Sequence, residues 1–175
     1  MGNDHQREDS SDGRRRRRQS RHRAQYRMVD ITLDNFRRTQ DHGFNLLGVR
    51  SRHRRRAEVM RPGDRVLFYV TSRRAFAATA TLTSGMLEDR SPVWQSPRRD
   101  EEHPWRFRMR SDRTPDEGGW IPARDLAYRL EYVRKWPPEM WALAFQGHIH
   151  QLPQKDFKLI EVEMSRTVQE ASEPA

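Results

Sequence analysis

The clearest alternation of apolar and polar positions lies in two consecutive segments, MRPGDRVLFYV over 60–70 and AFAATATLT over 75–83. The first is a Pro-Gly-Asp turn that leads into an apolar run, and the second begins with aromatic and small residues and then alternates. Such runs, bounded by turn residues, predict a β-hairpin with strands over 64–71 and 75–84 and one face in a core. We expect this hairpin to form the centre of a small β-barrel.

Before the hairpin, the pattern predicts a strand, a helix and a short basic helix. The strand covers 26–31, and Thr32 is a typical N-cap for a helix over 33–42 that the following glycine ends. The segment FNLLGV over 44–49 is compatible with either a strand or a loop. Good helix formers within 51–60 predict one or two turns of basic helix.

After the hairpin, HPWRFRMR over 103–110 alternates apolar and basic residues, which predicts an amphipathic strand. The two faces of this strand would carry Trp105, Phe107 and Met109 on one side and Arg106, Arg108 and Arg110 on the other. The run LAYRLEYV over 126–133 is typical of a further strand. A Pro-Pro pair then opens a helix over 139–145, and apolar residues spaced by three and four predict a last helix over 153–164.

The polar residues are concentrated at the two ends of the chain. Residues 1–23 contain almost no apolar side chain and include the arginine run over 14–18, so they predict a disordered basic tail. Residues 166–175 are also polar and predict a disordered C-terminal tail. At 175 residues, the chain therefore has room for one folded domain, over 24–165.

The charge balance predicts a polyanionic partner. The chain has 34 basic and 25 acidic residues, a formal net charge of +9. Nucleic acid is the commonest polyanion for a basic domain, and the arginine guanidinium matches phosphate geometry. Only three of the basic residues are lysine, and such a skew also arises from a GC-rich coding sequence. Both interpretations stay open at this point.

Several classes of chemistry are excluded or disfavoured by what the sequence lacks. It has no cysteine, no nucleophile elbow, no P-loop and no dinucleotide fingerprint. His148 and His150 are two residues apart without cysteine or an acidic triplet nearby, which argues against a metal site. No apolar run approaches the ~18 residues of a membrane span. We therefore predict a soluble cytoplasmic protein, a monomer or weak dimer, with no enzymatic activity, cofactor, metal or membrane partner.

Basic and aromatic residues around the hairpin suggest a nucleotide site. Trp94 and Trp105 stand in polar surroundings. Unstacking a base costs a few kcal/mol, and stacking it on an aromatic ring returns ~1–3 kcal/mol, so at least two ring or apolar walls are needed. Each tryptophan could instead be a core residue, and a charge run is also typical of a solvated face. The predicted phosphate-binding residues are Arg50, Arg52, His53, Arg54, Arg55 and Arg56.

Taken in order, GFNLLGVRSRHRRRA, MRPGDRVLFYV, AFAATATLT, the VW at 93–94, HPWRFRMR and the FQG at 145–147 resemble an EVE domain. This family is a relative of the YTH domain in the PUA-like superfamily. The resemblance covers about 26–164, and GF-x-L-x-GV and M-x-PGD-x-VLFY are its most specific parts. It implies an α+β fold in which a small PUA-like or YTH-like β-barrel is flanked by helices. It also implies a noncatalytic domain that reads nucleobases, often modified ones.

By position, the resemblance implies a nucleobase pocket formed by Thr32, Asn45, Leu46, Leu47, Gly48, Val49, Trp94 and Trp105. YTH domains hold a methylated adenine in an aromatic cage, and Leu47 stands where that family places a cage tryptophan. Leucine packs on a base but lacks the ring quadrupole that attracts a partly cationic methylated edge. Methylated or hydroxymethylated cytosine therefore fits as well as methyladenine. His148 and His150 follow the FQG where an arginine-like phosphate contact is expected.

The leading hypothesis is a domain that binds DNA or RNA and takes a modified nucleobase between Trp94, Trp105 and Leu47, with Asn45 and Thr32 bonded to its polar edge. The alternative is a PUA-like module that binds ribosomal or transfer RNA by shape and charge, without a flipped base. A third hypothesis, a nucleotide hydrolase or transferase, needs a titrating acid or base in the pocket, and the sequence indicates none.

Overall fold

The computed structural model describes residues 22–96, Arg98 and residues 101–172, with side chains up to Thr167. Most of the predicted N-terminal tail, including the arginine run over 14–18, lies outside these residues. Within them, no helix is both long enough and apolar enough to cross a membrane. The described part of the chain forms one mixed β-sheet with helices on both of its faces.

The predicted α+β fold is confirmed. The strands are β1 (Tyr26–Ile31), β2 (Leu46–Val49), β3 (Arg65–Val70), β4 (Ala75–Leu82), β5 (Leu87–Glu88), β6 (Trp105–Arg113), β7 (Ile121–Pro122) and β8 (Ile149–Gln151). The α-helices are α1 (Leu33–Asp41), α2 (Arg54–Glu58), α3 (Ala123–Leu126) and α4 (Gln154–Ser172). Short 3-10 helices cover Ser51–His53, Glu117–Gly119, Ala127–Arg129, Glu131–Val133 and Pro138–Phe145.

The sheet runs in the order β2-β6-β4-β3-β1-β8, with β5 paired to β6 and β7 paired to β4. Only β1 and β3 are parallel; the other pairs are antiparallel. The sheet curls into a half-barrel. Because it does not close through strand pairing, β2 and β8 are left as its two terminal edges, and the candidate site lies between them.

The hairpin β3–β4 is the predicted centre of the sheet. Alternate residues of β3 enter two different cores, as the period of two requires. Val66, Phe68 and Val70 join the core inside the curl together with Phe36 of α1. Leu67 and Tyr69 join the core under α4, together with its Phe157, Ile160 and Met164. Both faces of the hairpin are thus buried, and not one face as predicted from its alternation.

The first helix forms as its sequence predicts. The Thr32 side chain accepts a hydrogen bond from the Asn35 backbone N–H, which caps α1. Gly43 has φ +74°, a conformation that L side chains rarely adopt, and it follows the end of the helix. This cap fixes the direction of the chain as it leaves β1, so Thr32 and Asn35 lie beside the end of that strand.

The predicted strand over 126–133 is wrong. This segment contains the end of α3 and two 3-10 helices. Its buried residues Leu126, Leu130 and Val133 are four and three positions apart, which is helical spacing. The approximate alternation of apolar and polar residues in LAYRLEYV is also compatible with a strand, so the helical spacing was not recognised. The helical turns cover the α4 side of the sheet.

Two further differences concern the ends of predicted elements. Helix α4 continues to Ser172, through most of the predicted C-terminal tail, and the Thr167 hydroxyl donates to the Gly119 carbonyl at 3.2 Å. At the other end, His22 belongs to the predicted N-terminal tail, yet its Nε2 lies 2.7 Å from Oδ1 of the buried Asp64. Contacts with the folded part therefore extend beyond 24–165 on both sides.

Candidate functional site

The candidate site is a cavity at the seam between the two terminal edges of the sheet. The backbone N–H of Arg50, just after β2, donates to Nε2 of His148, just before β8, at 3.3 Å. Val29, Asp30 and Ile31 of β1 line the cavity from the side of β8, and Leu47 and Gly48 of β2 line it from the opposite edge. The curl of the sheet therefore brings together segments that are far apart in the sequence.

The Trp94 ring covers the middle of this seam. A Cβ atom built on Gly48 would overlap the six-membered part of the ring, so the indole packs directly on the glycine backbone. The indole Nε1–H donates to the Thr39 hydroxyl at 2.9 Å. The glycine is required here because any side chain at position 48 would occupy the seat of the indole.

Helix α1 also holds the segment after Trp94. The Asn35 side chain pairs with the Gln95 backbone through two hydrogen bonds, from Nδ2 to the carbonyl oxygen at 2.6 Å and from the Gln95 N–H to Oδ1 at 2.8 Å. Asn35 is itself buried. These bonds fix the loop that carries Trp94 against α1.

Arg106 of β6 also holds the loop that carries Trp94, through hydrogen bonds to its backbone and side chains. Its guanidinium donates to the Ser91 hydroxyl at 2.8 Å, to the Ser91 carbonyl and to the His103 carbonyl at 3.2 Å, and it lies 5.3 Å from the centre of the Trp94 ring. Arg106 was predicted on one strand face with Arg108 and Arg110, but unlike these two exposed residues it is only 3% exposed. It stands beside Gly48 in the β2–β6 register, directly under the tryptophan loop.

Four buried polar atoms at the cavity have no hydrogen-bond partner among the described residues. They are Oδ1 of Asp30, Nε of Arg50, Nδ1 of His103 and Nδ1 of His148. Nδ1 of His148 lies 3.5 Å from Oδ1 of Asp30, too far for a good hydrogen bond. Buried polar groups are nearly always paired, since an orphaned one costs ~1–3 kcal/mol. A cluster of four indicates a site that is completed by a polar ligand or by water.

The histidines at the cavity are neutral at pH 7. Burial, followed by the charges of His148 and Arg50, lowers the pKa of His103 to about 4. Burial also lowers the pKa of His148, against the opposing effect of Asp30. Since Nε2 of His148 accepts from the Arg50 N–H, the neutral ring carries its proton on Nδ1, which faces Oδ1 of Asp30 at 3.5 Å. The cavity thus offers donors and a carboxylate acceptor side by side.

The comparisons with known proteins can be placed on this geometry. The family model of the EVE domain matches residues 24–162. The chain belongs to the EVE-domain family. The resemblance noted in the sequence is therefore confirmed. A search of curated proteins finds no significant match to this EVE domain.

Solved structures similar to this EVE domain are YTH domains and related proteins. The Mmi1 YTH domain superposes with a TM-score of 0.61 at 9% identity, over 85% of this chain and 92% of that one. The YTH domain of the Zygosaccharomyces rouxii MRB1 protein, solved in complex with N6-methyladenosine RNA, has a TM-score of 0.56 at 16% identity, over 79% and 86%. A hypothetical protein from Leishmania major has a TM-score of 0.59 at 16% identity, over 83% and 98%. At these identities the likeness establishes a shared fold.

The EVE domain brings four of the predicted pocket residues to the cavity: Thr32, Leu47, Gly48 and Trp94. The other four, Asn45, Leu46, Val49 and Trp105, do not line the cavity. Asn45 is exposed, Leu46 is half-buried, and neither lines the cavity. Val49 is buried in the core inside the curl.

The placement of Trp105 differs from the predicted pocket wall. Its side chain is only 6% exposed and belongs to the core inside the curl. Its indole N–H donates to the Ser51 carbonyl at 3.0 Å, and Arg54 lies over its ring at 4.9 Å. As the first residue of β6 it pairs with Val49, one position away from the Gly48–Arg106 pair that supports Trp94. A strand alternates its faces, so Trp105 points away from the tryptophan loop.

The predicted phosphate-binding cluster divides into three parts. Arg50 and Arg52 stand near the cavity, and both face Glu101, at 3.9 and 3.1 Å. Arg54 pairs with Glu58 at 2.8 Å and covers Trp105. Arg55 and Arg56 line a different groove, beside β8. His53 lies between these parts, its ring centre 5.3 Å from that of His148, and burial lowers its pKa to about 4.

Sequence reasoning missed Asp30, Asn35, His103 and His148 as parts of the site. Asp30 could have been found from the sequence, because an acidic residue between Val29 and Ile31 interrupts an apolar strand. A carboxylate that is buried in such a strand needs a hydrogen-bonding or charged partner. Asn35 had none, because an asparagine in the first turn of a helix is common. His103 and His148 stand where the sequence gives no sign that they meet.

The cavity is small as it stands. Its free volume is about 10 Å³, which is room for roughly one water molecule. The Trp94 ring, packed on Gly48, takes the space that a planar ligand would need. A ligand larger than water therefore needs a lining side chain to move, and the Trp94 ring on Gly48 is a candidate.

Proposed function

We propose that this EVE domain is a noncatalytic nucleic-acid-binding domain that takes one nucleobase into the cavity beside Trp94. Arg50 and Arg52 would contact the phosphate of the same nucleotide. One observation carries the proposal: four buried polar atoms without partners converge next to a tryptophan ring. A flat ring with hydrogen-bonding groups on its edge is the ligand that satisfies both features.

The hydrogen-bonding groups match the edge of a base. Oδ1 of Asp30 accepts, so it would take an N–H of the base, such as an exocyclic amino group. Nδ1–H of the neutral His148 donates to a ring nitrogen or carbonyl oxygen beside it. Pairing these orphaned groups recovers ~1–3 kcal/mol each, and stacking on Trp94 adds ~1–3 kcal/mol. These gains have to offset both the few kcal/mol that unstacking the base costs and the contacts that Trp94 gives up with Gly48 and Thr39.

The relatives support this proposal. A YTH domain of the same fold is solved in complex with N6-methyladenosine RNA, and the Mmi1 YTH domain is solved in complex with RNA. We infer that the base read by this domain is also modified, in RNA or DNA. Leu47 rather than an aromatic ring lines the cavity, which leaves methylated and hydroxymethylated cytosine beside methyladenine as candidates.

Two hydroxyls at the cavity are already engaged, which supports binding rather than catalysis. The Thr32 hydroxyl caps α1, and the Thr39 hydroxyl donates to the Asn35 carbonyl while it accepts from Trp94. An acid or base such as Asp30 or His148 would need a nucleophile to act upon. Among the described residues that line the cavity, the two hydroxyl side chains, Thr32 and Thr39, both have structural tasks.

The small volume of the cavity favours a second candidate function. If Trp94 keeps its seat on Gly48, no base enters, and the domain would bind folded RNA, such as ribosomal or transfer RNA, through charge and shape alone. Affinity would then fall steeply with salt and would not depend on base modification. The two functions differ in whether the Trp94 seat exchanges with a base.

The test compares oligonucleotides that are plain or that carry methylcytosine, hydroxymethylcytosine or methyladenine, in RNA and DNA, at two salt concentrations. Binding to the full chain is measured for the wild type, for Gly48→Ala, and for Gly85→Ala as the control. A Cβ at position 48 displaces the Trp94 ring, whereas one at position 85 meets no atom within 4 Å. Circular dichroism checks that each variant is folded.

We expect the wild type and Gly85→Ala to prefer one modified base by about 10-fold or more, ~1.4 kcal/mol, at both salt concentrations. Gly48→Ala should lose this preference, because its Cβ fills part of the space that the Trp94 ring vacates for the base. Equal binding of all oligonucleotides by the wild type, with a steep salt dependence, would favour the second candidate. A folded Gly48→Ala that keeps the full preference would contradict the cavity as the site of recognition.

A further inference from the structure

A second, larger cavity lies next to the first, and the segment 147–151 contributes different residues to each. It has a volume of about 600 Å³, within the range of ordinary ligand sites, ~300–1,000 Å³. It lies along the outer edge of β8, between that strand, α2 and the turn at 132–135. We call it the cationic groove, because its charged lining residues in the described part of the chain are all basic: Arg27, Arg55, Arg56 and Lys135.

Arg27 is the buried member of the cationic groove. It is 7% exposed, and its Nε is a buried atom without a hydrogen-bond partner among the described residues. The nearest carboxylate oxygen, Oδ2 of Asp64, is 3.6 Å away. Asp64 is already committed, since its two oxygens accept from the backbone N–H groups of Gln25 and Arg61 and contact His22. The buried guanidinium of Arg27 therefore has an N–H donor, at Nε, without a hydrogen-bond partner among the described residues, and Arg27 lines the wall of an open groove.

Two long, exposed basic side chains, Arg55 and Lys135, stand at the rim of the cationic groove. Arg55 and Lys135 are exposed and form no ion pair within the described residues. The Lys135 ammonium lies 4.5 Å from the centre of the Tyr132 ring, whose hydroxyl is 2.7 Å from Nδ1 of His150. With no acidic residue in the described lining, the groove attracts anions, and its arginines suit phosphate oxygens.

Two hydrogen bonds, which we call the bridge, lie where the groove and the first cavity meet. The bridge consists of two hydrogen bonds between the segment 50–56 and the segment 148–149: the Arg50 N–H donates to His148, and Nη1 of Arg56 donates to the Ile149 carbonyl at 2.7 Å. His148 lines the cavity, whereas Gly147, Ile149 and His150 line the groove. A nucleic-acid strand that places a base on one side of this bridge has its neighbouring phosphates at the other.

We propose that the cationic groove binds the sugar-phosphate backbone of the strand whose base enters the cavity, so that the ligand is a strand and not a single nucleotide. This inference rests on the proposed function. Arg27, Arg55 and Lys135 contact phosphates in the groove, and Arg56 holds the bridge. The groove supplies affinity that does not depend on the identity of the base.

The experiment varies the length of the ligand. The full chain is titrated with the preferred mononucleotide, with strands extended on the 5′ or the 3′ side of the same base, and with inorganic pyrophosphate. The variant Arg55→Ala/Lys135→Ala is compared with the control Arg113→Ala/Lys158→Ala. Both remove two charges, and the control removes them from exposed residues of β6 and α4 that do not line the groove.

We expect Arg55→Ala/Lys135→Ala to bind extended strands about 10-fold more weakly and to lower the slope of log K against log salt by about 1.4, two contacts at ~0.7 each. Binding of the mononucleotide should not change, and the control should match the wild type within about two-fold. Equal affinity of variant and wild type for every strand would overturn the inference. So would pyrophosphate binding that the variant loses, if strand extension adds nothing, because the groove would then hold a free phosphorylated molecule.

The Gly48→Ala variant keeps the two proposals apart. If base preference survives Gly48→Ala while Arg55→Ala/Lys135→Ala weakens strand binding, the proposed cavity function fails and the groove stands as a phosphate site. If Gly48→Ala abolishes base preference and the double variant changes nothing, the cavity stands and the groove is rejected.

Discussion

The cavity beside Trp94 and the cationic groove are neighbours with opposite physical character. The cavity is nearly closed, holds neutral histidines and one carboxylate, and leaves four buried polar atoms without partners. The groove is open and lined by basic side chains without a carboxylate among its described lining residues. The bridge joins Arg50 and His148 of the cavity lining to each other, and Arg56 and Ile149 of the groove lining to each other.

This difference in burial and charge suits the cavity and the groove to two separate tasks in binding. A buried group that lacks a partner discriminates between ligands, because the wrong ligand leaves it unpaired at a cost of ~1–3 kcal/mol. An exposed cation in water attracts any phosphate, and salt screens this attraction. The cavity should therefore determine which base is bound, and the groove how strongly any strand is bound. The predictions below test this division, beginning with the largest effect.

Asp30→Asn should have the largest effect on the cavity. The charged acceptor for a base N–H is replaced by a neutral amide of the same shape, and a hydrogen bond to a charged group contributes ~1.5–3 kcal/mol. Affinity for the preferred base should fall by about 10- to 100-fold. Titrations at several salt concentrations should show an unchanged salt slope, because no cation is removed.

Asp41→Asn provides the matched control for this prediction. It removes one negative charge from an exposed position at the end of α1. We expect this variant to bind like the wild type. If both variants alter affinity equally, the effect is one of net charge, and the carboxylate at the cavity does not recognise the base.

Asn35→Ala should have the next largest effect. It removes both hydrogen bonds that hold the Gln95 backbone, each with a net contribution of ~0.5–1.5 kcal/mol, so the tryptophan loop should open more often. Hydrogen exchange of the Gln95 amide should become at least about 10-fold faster, and base-dependent affinity should fall by several fold. Binding of strands through the groove should stay the same.

The control is Asn45→Ala, at an exposed residue outside the cavity. This variant also tests the expectation that Asn45 contacts the base. Unchanged binding and unchanged exchange would agree with its position in the structure. If Asn45→Ala instead weakens base-dependent binding and Asn35→Ala does not, the loop is held by other contacts and the site differs from the one proposed.

The sequence was sufficient where local rules determine the structure. The Thr32 cap, the end of α1 and the β3–β4 hairpin depend on residues close together in the chain, and the structure contains all three. The motifs that resemble the EVE family span these elements, and the α+β fold followed from them. The segment 126–133 failed because one short apolar run is compatible with two periods, and packing under α4 selected the helical one.

The candidate site could be predicted only in part, because the curl of the sheet assembles it. Thr32, Gly48 and Trp94 were expected at a pocket and line the cavity; their role in binding stays a prediction. Trp105 was expected beside Trp94, but the alternation of β6 turns it into the core. His148 reaches the site only because the β8 edge meets the β2 edge, a long-range contact that no local pattern encodes.

Glu101→Gln should have a small effect in the opposite direction. Glu101 faces Arg50 and Arg52 near the cavity, so it competes with a phosphate for both guanidinium groups. Ion pairs near a protein surface contribute ~0–1 kcal/mol, and although the Glu101 side chain is only 9% exposed, its two arginine partners are more open, so the neutral variant should bind strands up to about five-fold more tightly at low salt. At high salt the difference should vanish.

Glu58→Gln is the control, because Glu58 pairs with Arg54 outside the cavity and the groove. It should leave binding unchanged at both salt concentrations. Weaker binding by Glu101→Gln would indicate that the glutamate positions the two arginines rather than competing with phosphate.

The last prediction concerns the stability of the fold and not binding, and its pH dependence distinguishes the histidines of the cavity from the arginines of the groove. His103 has a folded-state pKa of about 4, held down by burial and by His148, Arg50 and Arg106 against Glu101, whereas an unfolded chain has a histidine pKa of ~6.5. Between these values the unfolded state binds the proton and the folded state does not, so stability is complete above ~6.5 and falls as the pH drops toward 4. Urea midpoints measured from pH 7 to pH 4.5 should decrease, and His103→Gln should flatten this decrease. Guanidinium groups in general stay charged over this pH range, so the salt slope of strand binding should stay constant wherever the protein is folded. A midpoint that rises on acidification would contradict the neutral, desolvated state of the cavity histidines.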